Sequence, residues 1–119
     1  MTTEDSPLVY KILSRDDWAI AKDLGYTNTA LDTGDGYVHL STRTQVAETL
    51  QLHYKNQSDV GLFEFAEGSL PDALKWEQSR GGQLFPHLYE KLSLDLAKRT
   101  WTLETDAEGV PQLPEDIDS

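Results

Sequence analysis

Cysteine is absent from this chain of 119 residues. Disulfide bridges, thiolate metal sites and cysteine nucleophiles are therefore excluded, and stability must come from packing alone. The chain also has no apolar run of membrane-spanning length, and its acidic start, MTTEDSPLVYKIL, lacks the basic and apolar regions of a secretory signal. These absences predict a cytoplasmic protein that does not associate with membranes.

Basic residues are scarce, since 10 lysines and arginines face 21 aspartates and glutamates, for a net charge of −11. Nucleic-acid-binding domains normally present a basic face, because contacts to phosphate dominate their affinity. The composition therefore argues against stable nucleic-acid binding and leaves a small-molecule ligand as the expected partner. It gives no indication of the oligomeric state.

The length favours one domain with one hydrophobic core. We expect a flexible N-terminus over residues 1–7 and a folded domain over residues 8–105. Residues 104–119 carry six acidic side chains and no lysine or arginine. A segment of that composition is typical of a solvated end, so residues 106–119 are predicted to form a disordered acidic tail.

The apolar pattern predicts an α+β fold with two helices. The first helix follows a capping box at Ser14 and Asp17 and stops at Gly25, and the second begins near Ser41 or Thr42. Residues 26–36 read as a turn-rich loop. Strands are predicted over residues 8–13, 37–41, 59–67, 75–78, 85–92 and 98–105. Pro86 indicates an edge strand or a strand start, because proline has no N–H to donate.

Two segments share one layout, GYVHLS at residues 36–41 and FPHLYE at residues 85–90. Each places an aromatic residue, a histidine and a hydroxyl at alternate positions: Tyr37, His39 and Ser41, then Phe85, His87 and Tyr89. Alternate strand residues lie on one face, so we predict that His39 and His87 look into a common cleft as candidate acid–base residues. The alternatives are structural histidines bonded to the backbone and a helix-capping role for Ser41.

Three cations are candidates for holding a phosphate or carboxylate. Arg43 lies in the first turn of the predicted second helix, where free N–H groups favour an anion. Lys11 and Arg80 are the other two candidates. An isolated surface cation is more often simply solvated. His53 is predicted to be an exposed residue of the second helix.

The neighbours Trp76 and Glu77 form a second candidate pair. A carboxylate beside a tryptophan can act as an acid or bind hydroxyl groups, and Trp76 and Tyr89 are candidates for stacking on a ligand. Trp76 in the core and Glu77 on the surface is the alternative. No HxH or HxxxH spacing exists, so no metal site is predicted.

These residues resemble a family of small, mostly bacterial proteins known as the domain of unknown function 952. The similarity spans about residues 8–103 and rests on Val9-Tyr10-Lys11-Ile12, Trp18, GYVHLS with Gln45, Lys75-Trp76-Glu77 and FPHLY. Glu90 is a departure, because the family usually has glycine after this tyrosine.

That family is distantly similar to the ADP-ribosyltransferase-like fold, in particular to the RNA 2′-phosphotransferases. The resemblance implies split mixed or antiparallel sheets around an NAD cleft, with Tyr37, His39 and Ser41 beside the nicotinamide ribose and Glu77 as catalytic glutamate. Those enzymes carry a His-Gly-hydroxyl motif on the first strand. This chain has Tyr10-Lys11-Ile12-Leu13 instead, so the clamp on the adenosine ribose is missing.

Three functions remain open from the sequence. The first is a module that binds a small nucleotide-like or phosphorylated ligand. The second is an ADP-ribosyltransferase-like or phosphotransferase-like enzyme, in which His39 and Ser41 orient a ribose and His87 or Glu77 acts on the acceptor, with NAD as the implied cofactor. The third is a protein whose histidines are structural.

Overall fold

The computed structural model describes residues 7–78 and 82–118. It confirms an α+β fold, with two antiparallel sheets and three α-helices within those residues. The helices are α1 (Arg15–Leu24), α2 (Ala30–Asp35) and α3 (Val46–His53). The strands are β1 (Leu8–Leu13), β2 (Val38–His39), β3 (Ser41–Thr42), β4 (Gly61–Ala66), β5 (Leu74–Gln78), β6 (Leu84–Leu88) and β7 (Arg99–Thr102).

The larger sheet has the order β3-β1-β4-β7, and its central strands are buried on both faces. Alternate residues of β1 enter two different apolar clusters. Val9 and Leu13 pack into a cluster with α1 and the smaller sheet, while Tyr10 and Ile12 pack into a cluster with α3. This double coverage explains why β1 reads as an almost continuous apolar run.

The segment predicted as one strand over residues 37–41 is divided between the two sheets. Val38 and His39 pair with Leu88 and His87 of β6, whereas Ser41 and Thr42 pair with β1. The single residue between them, Leu40, is buried. His39 is therefore fixed at the junction where the chain crosses from one sheet to the other.

Three local predictions need correction. Helix α3 begins at Val46 and not near Ser41 or Thr42, because those two residues pair with β1 as strand β3 and Arg43 lies in the turn that follows. Residues 30–35 form helix α2, capped by Thr29, where a loop was predicted. Pro86 lies in the middle of β6, which is the central strand of the order β2-β6-β5, so the edge or strand-start prediction was wrong. The proline joins the sheet as an acceptor, since its carbonyl accepts the N–H of Leu40 at 3.0 Å.

The acidic C-terminal segment also differs from the predicted disordered tail. Residues 106–118 are described, and Thr105 and Pro111 form an isolated antiparallel bridge. Ile117 is only 4% exposed and belongs to the same cluster as α3. Charge composition suggested a solvated end, but the buried Ile117 and polar contacts with Arg43, Arg99 and Trp101 hold the segment against the sheet.

The start of α1 follows the predicted capping box. The Ser14 hydroxyl accepts from the Asp17 N–H at 3.1 Å, and the helix ends at Gly25 in the left-handed region, φ 84°. Trp18 then packs edge-on against Phe63, with ring centroids 5.2 Å apart, and covers Gly61 at the start of β4.

Gly61→Ala is expected to destabilise the protein by about 1–3 kcal/mol, because the new methyl group overpacks this contact. A Cβ at residue 61 would lie 2.6 Å from the Trp18 ring. Urea unfolding measures the free energy. Gly34→Ala is the control, since its Cβ would meet no atom within 4 Å; equal losses in both variants would contradict the packing argument.

Candidate functional site

A cavity of about 740 Å³ opens where the two sheets meet α1, α2 and α3. We call it the histidine cavity, because His39, His53 and His87 all contribute to its wall. Ser41 and Lys11 line it as well, together with hydroxyl groups and apolar side chains from the three helices. A concave space of this size with a few polar groups is typical of small-molecule sites.

A buried ion pair forms one wall of the cavity. Lys11 Nζ lies 2.7 Å from Asp32 Oδ2, and both side chains are more than nine-tenths buried. Lys11 also donates to the His39 carbonyl at 3.0 Å. The second Asp32 oxygen accepts from the His39 backbone N–H at 3.1 Å and lies 2.6 Å from His39 Nδ1. The pair therefore holds both the backbone and the ring of His39.

Hydrogen bonding decides the charge of Asp32. Burial by itself would raise the pKa of Asp32, but the contacts with His39 and the positive charge of Lys11 outweigh it and lower the pKa to about 2. Burial lowers the pKa of Lys11, and the neighbouring Asp32 opposes that effect. A buried charge of either sign is tolerated here because its partner is in place.

His39 meets a second carboxylate on its other nitrogen. Asp35 Oδ2 lies 3.0 Å from His39 Nε2, at the end of the same short helix that carries Asp32. Both ring nitrogens of His39 therefore lie within hydrogen-bond distance of a carboxylate oxygen. His39 is thus held on both sides, and it shapes the cavity wall more than it offers a free nitrogen.

His87 has a different environment. Its Nδ1 lies 2.8 Å from Glu77 Oε1, and the Tyr89 hydroxyl donates to the same oxygen at 2.7 Å. Hydrogen bonds from His87 and Tyr89 lower the pKa of Glu77, and the bond to Glu77 raises the pKa of Tyr89 to about 12. The Glu77 contact uses Nδ1, and His87 also lines the histidine cavity.

Tyr37 joins the two histidines. Its ring stacks on His87 at 4.1 Å and lies 4.6 Å from the His39 ring. Tyr89 approaches Tyr37 at 5.2 Å, and the two imidazole rings are 5.6 Å apart. The structure therefore brings together five sequence candidates that were far apart in the chain: Tyr37, His39, Glu77, His87 and Tyr89.

Other candidates lie elsewhere. Arg43 makes a bidentate contact with Asp118 and lines a different cavity. Trp76 donates to Glu67 at 3.0 Å on the exposed face of β5 and is not part of the histidine cavity. Arg80 lies outside the described residues. The phosphate-binding role predicted for Arg43 therefore finds no support in the wall of the cavity.

Sequence reasoning missed Asp32 and Asp35, the two carboxylates that hold His39. Both lie in the segment that was read as a loop. The available signal was Thr29 three residues before Asp32, with Gly36 as a helix stop. His53 was expected on the exposed surface; it is exposed and also lines the cavity.

Residues 7–78 and 82–118 contain neither a candidate metal site nor a candidate membrane span. No group of three or more histidine or acidic side chains in these ranges is arranged to hold a metal ion. No helix in the described part of the chain has the length and apolar character needed to cross a bilayer.

The stability that Asp32 contributes is expected to depend on pH. Its folded pKa of about 2 lies below the ordinary value of 3.8, so the contribution, about 2 kcal/mol, is present above pH ~4 and is lost as the pH falls towards 2. Asp32→Asn also leaves Lys11 buried without its partner, and we expect a loss of about 3–5 kcal/mol near neutral pH.

Urea unfolding of both proteins between pH 7 and pH 2 checks this expectation, with the half-exposed Asp35→Asn as the matched control. The gap between wild type and Asp32→Asn should narrow as the pH falls. A constant gap would show that the Asp32 charge is not what stabilises the fold.

Comparisons with known proteins fit this architecture. The crystal structure of protein CC0527 from Caulobacter crescentus is 42% identical and has a TM-score of 0.87, with 94% of this chain and 99% of that chain covered. Its solution NMR structure is 42% identical with a TM-score of 0.79, over 92% and 96% of the two chains. No functionally curated protein matches. A family model described as protein of unknown function (DUF952) matches residues 12–99, and the chain belongs to that family.

Proposed function

We propose that this protein binds a small nucleotide-like ligand in the histidine cavity, through the base and sugar of the ligand and not through its phosphate. The observation that carries the proposal is the convergence of His39, His87 and Ser41, from both sheets, on one cavity of about 740 Å³. The His87 imidazole and the Ser41 hydroxyl are suitable partners for ribose hydroxyls, whereas both nitrogens of His39 contact carboxylates and His39 shapes the wall.

The charge of the wall argues against phosphate as the main contact. Lys11 lines the cavity, but Asp32 already neutralises it at 2.7 Å, and Asp17 adds a further carboxylate. Arg43 is bound to Asp118 in another cavity. A phosphate entering the histidine cavity would have to break the Lys11–Asp32 pair, which is costly in a buried site.

A complete NAD molecule fits this wall less well than a nucleoside does. The similarity to ADP-ribosyltransferases stays a prediction, and β1 places Lys11 where those enzymes carry a histidine motif. Tyr10 faces away from the cavity, because its hydroxyl donates to the buried Glu64 at 2.9 Å. The described residues of β1 therefore provide no clamp for the adenosine ribose of NAD.

Leu31→Trp is expected to weaken ligand binding at least about tenfold. Leu31 lies on the cavity wall and is 62% exposed, so an indole can block the space without disturbing the core. Isothermal titration with adenosine, ADP-ribose, NAD and inorganic pyrophosphate measures the affinities. We expect adenosine to bind most tightly, ADP-ribose and NAD to bind more weakly, and pyrophosphate not to bind.

The matched control is Leu52→Trp, which alters a similarly exposed leucine, 54%, on α3 outside the cavity wall. It should bind like wild type. Heat from pyrophosphate alone, or no heat from any probe with folded protein, would rule out the proposed mode of binding.

A second candidate function is supported by the Glu77–His87 contact. A carboxylate on Nδ1 orients an imidazole so that Nε2 can take a proton from an acceptor, as general base catalysis requires. In ribosyl transfer, the acceptor oxygen would form the new bond to C1′, nicotinamide would leave with the electron pair of the broken bond, and His87 would receive the acceptor proton.

If the protein is such an enzyme, His87→Ala should lower the rate of nicotinamide release from NAD by about 10²-fold. Proton NMR of the free nicotinamide measures the rate, and Lys22→Ala on the outer face of α1 is the control. If the wild-type protein binds adenosine but releases no nicotinamide from NAD, the enzymatic function is contradicted and the ligand-binding function is retained.

A further inference from the structure

A second binding surface lies on the side of the larger sheet that carries β7. A cavity of about 390 Å³ is lined there by three cations, Arg43, Lys98 and Arg99. Such a cluster is unusual in a chain with a net charge of −11. We call this surface, completed by Trp101 of β7, the arginine groove.

The groove holds the chain's own residues 116–118, which we call the Asp-Ile-Asp segment. Arg43 makes two contacts of 2.8 and 2.7 Å with the Asp118 carboxylate. The Trp101 indole donates to the Asp116 carboxylate at 2.9 Å. Ile117, between the two aspartates, inserts into the apolar cluster beneath and is 4% exposed.

Arg99 binds the backbone of the segment rather than its side chains. Its guanidinium donates to the carbonyls of Asp116 and Ile117 at 2.8 and 2.7 Å. In the described chain the segment belongs to no strand. Recognition by backbone contacts and alternating side-chain pockets is the way in which proteins bind extended peptides.

Arg99 is held in position by core residues that are not part of the Asp-Ile-Asp segment. Arg99 contacts both oxygens of Glu64 at 2.8 Å, and Tyr10 donates to one of those oxygens at 2.9 Å. Glu64 is 1% exposed, so this support is part of the core. A receptor that is organised before its ligand arrives loses less entropy on binding.

We propose that the arginine groove is a receptor for short acidic peptides of a partner protein, with the pattern aspartate, aliphatic residue, aspartate. The Asp-Ile-Asp segment occupies the groove in cis and masks it. The outer end of this contact is solvent-accessible, since the Asp118 side chain is 70% exposed, and a competing carboxylate can reach Arg43 from solvent.

The first experiment unmasks the groove in the full chain. Ile117→Ser combined with Asp118→Ala removes the apolar anchor of the cis segment and the carboxylate that holds Arg43, so the segment can leave the groove. Fluorescence anisotropy then measures binding of a labelled peptide with the sequence of residues 112–118. A tethered competitor acts at an effective concentration of about millimolar, so the double variant should bind the peptide at least about tenfold more tightly than wild type.

Two further changes identify the surface. Arg43→Ala in the double-variant background should weaken peptide binding about tenfold or more, a loss of ~1.4 kcal/mol. Arg15→Ala in the same background is the matched control, because Arg15 is an exposed arginine on α1. A peptide with both aspartates replaced by asparagine should bind weakly to every variant.

A second readout uses the wild-type protein and covers the case in which the double variant does not fold. Millimolar peptide should shift the Trp101 indole N–H resonance in a two-dimensional NMR spectrum, because a carboxylate of the peptide replaces Asp116 as the acceptor of this hydrogen bond. No shift, or no binding by the folded double variant, would make the segment a fixed part of the fold. Concentration-dependent dimers in light scattering would assign the groove to a second copy of the chain and overturn the proposal of a separate partner.

Discussion

The buried ion pair between Lys11 and Asp32 is the interaction on which the histidine cavity depends. It joins the first strand to helix α2 and, through bonds to the backbone and ring of His39, fixes the point where the chain crosses between the sheets. A buried pair contributes little net stability by itself but is costly to break. Its main effect is therefore on conformational specificity and not on net stability, because it fixes His39 in one position.

The two histidines share a cavity but not a role. His39 has carboxylates on both ring nitrogens, Asp32 and Asp35, which suits a positioning role in the wall. His87 has one carboxylate, Glu77, on Nδ1, which is the arrangement of an oriented acid–base residue. Similar sequence layouts have thus produced different chemical environments, because the neighbouring elements differ.

The molecule has two charged surfaces that differ in their ion pairing. In the described wall of the histidine cavity Lys11 is neutralised by Asp32, whereas Arg43 and Arg99 contact the acidic C-terminal segment. Arg43 is only two residues from Ser41, yet they line different cavities, because β3 ends at Thr42 and Arg43 lies in the turn that leads to α3.

Local patterns in the sequence were sufficient to predict strand β1, the N-cap of α1 at Ser14, its end at Gly25 and the α+β class. These features are set by periodicity and capping, which act over a few residues. The layouts around His39 and His87 also identified the two strands that meet. Tertiary structure alone decided that Leu40 separates two sheets, that Asp32 pairs with Lys11 and that Arg43 binds Asp118. These contacts join residues 21 to 75 positions apart, and side-chain pairing over such distances follows from packing, not from local pattern.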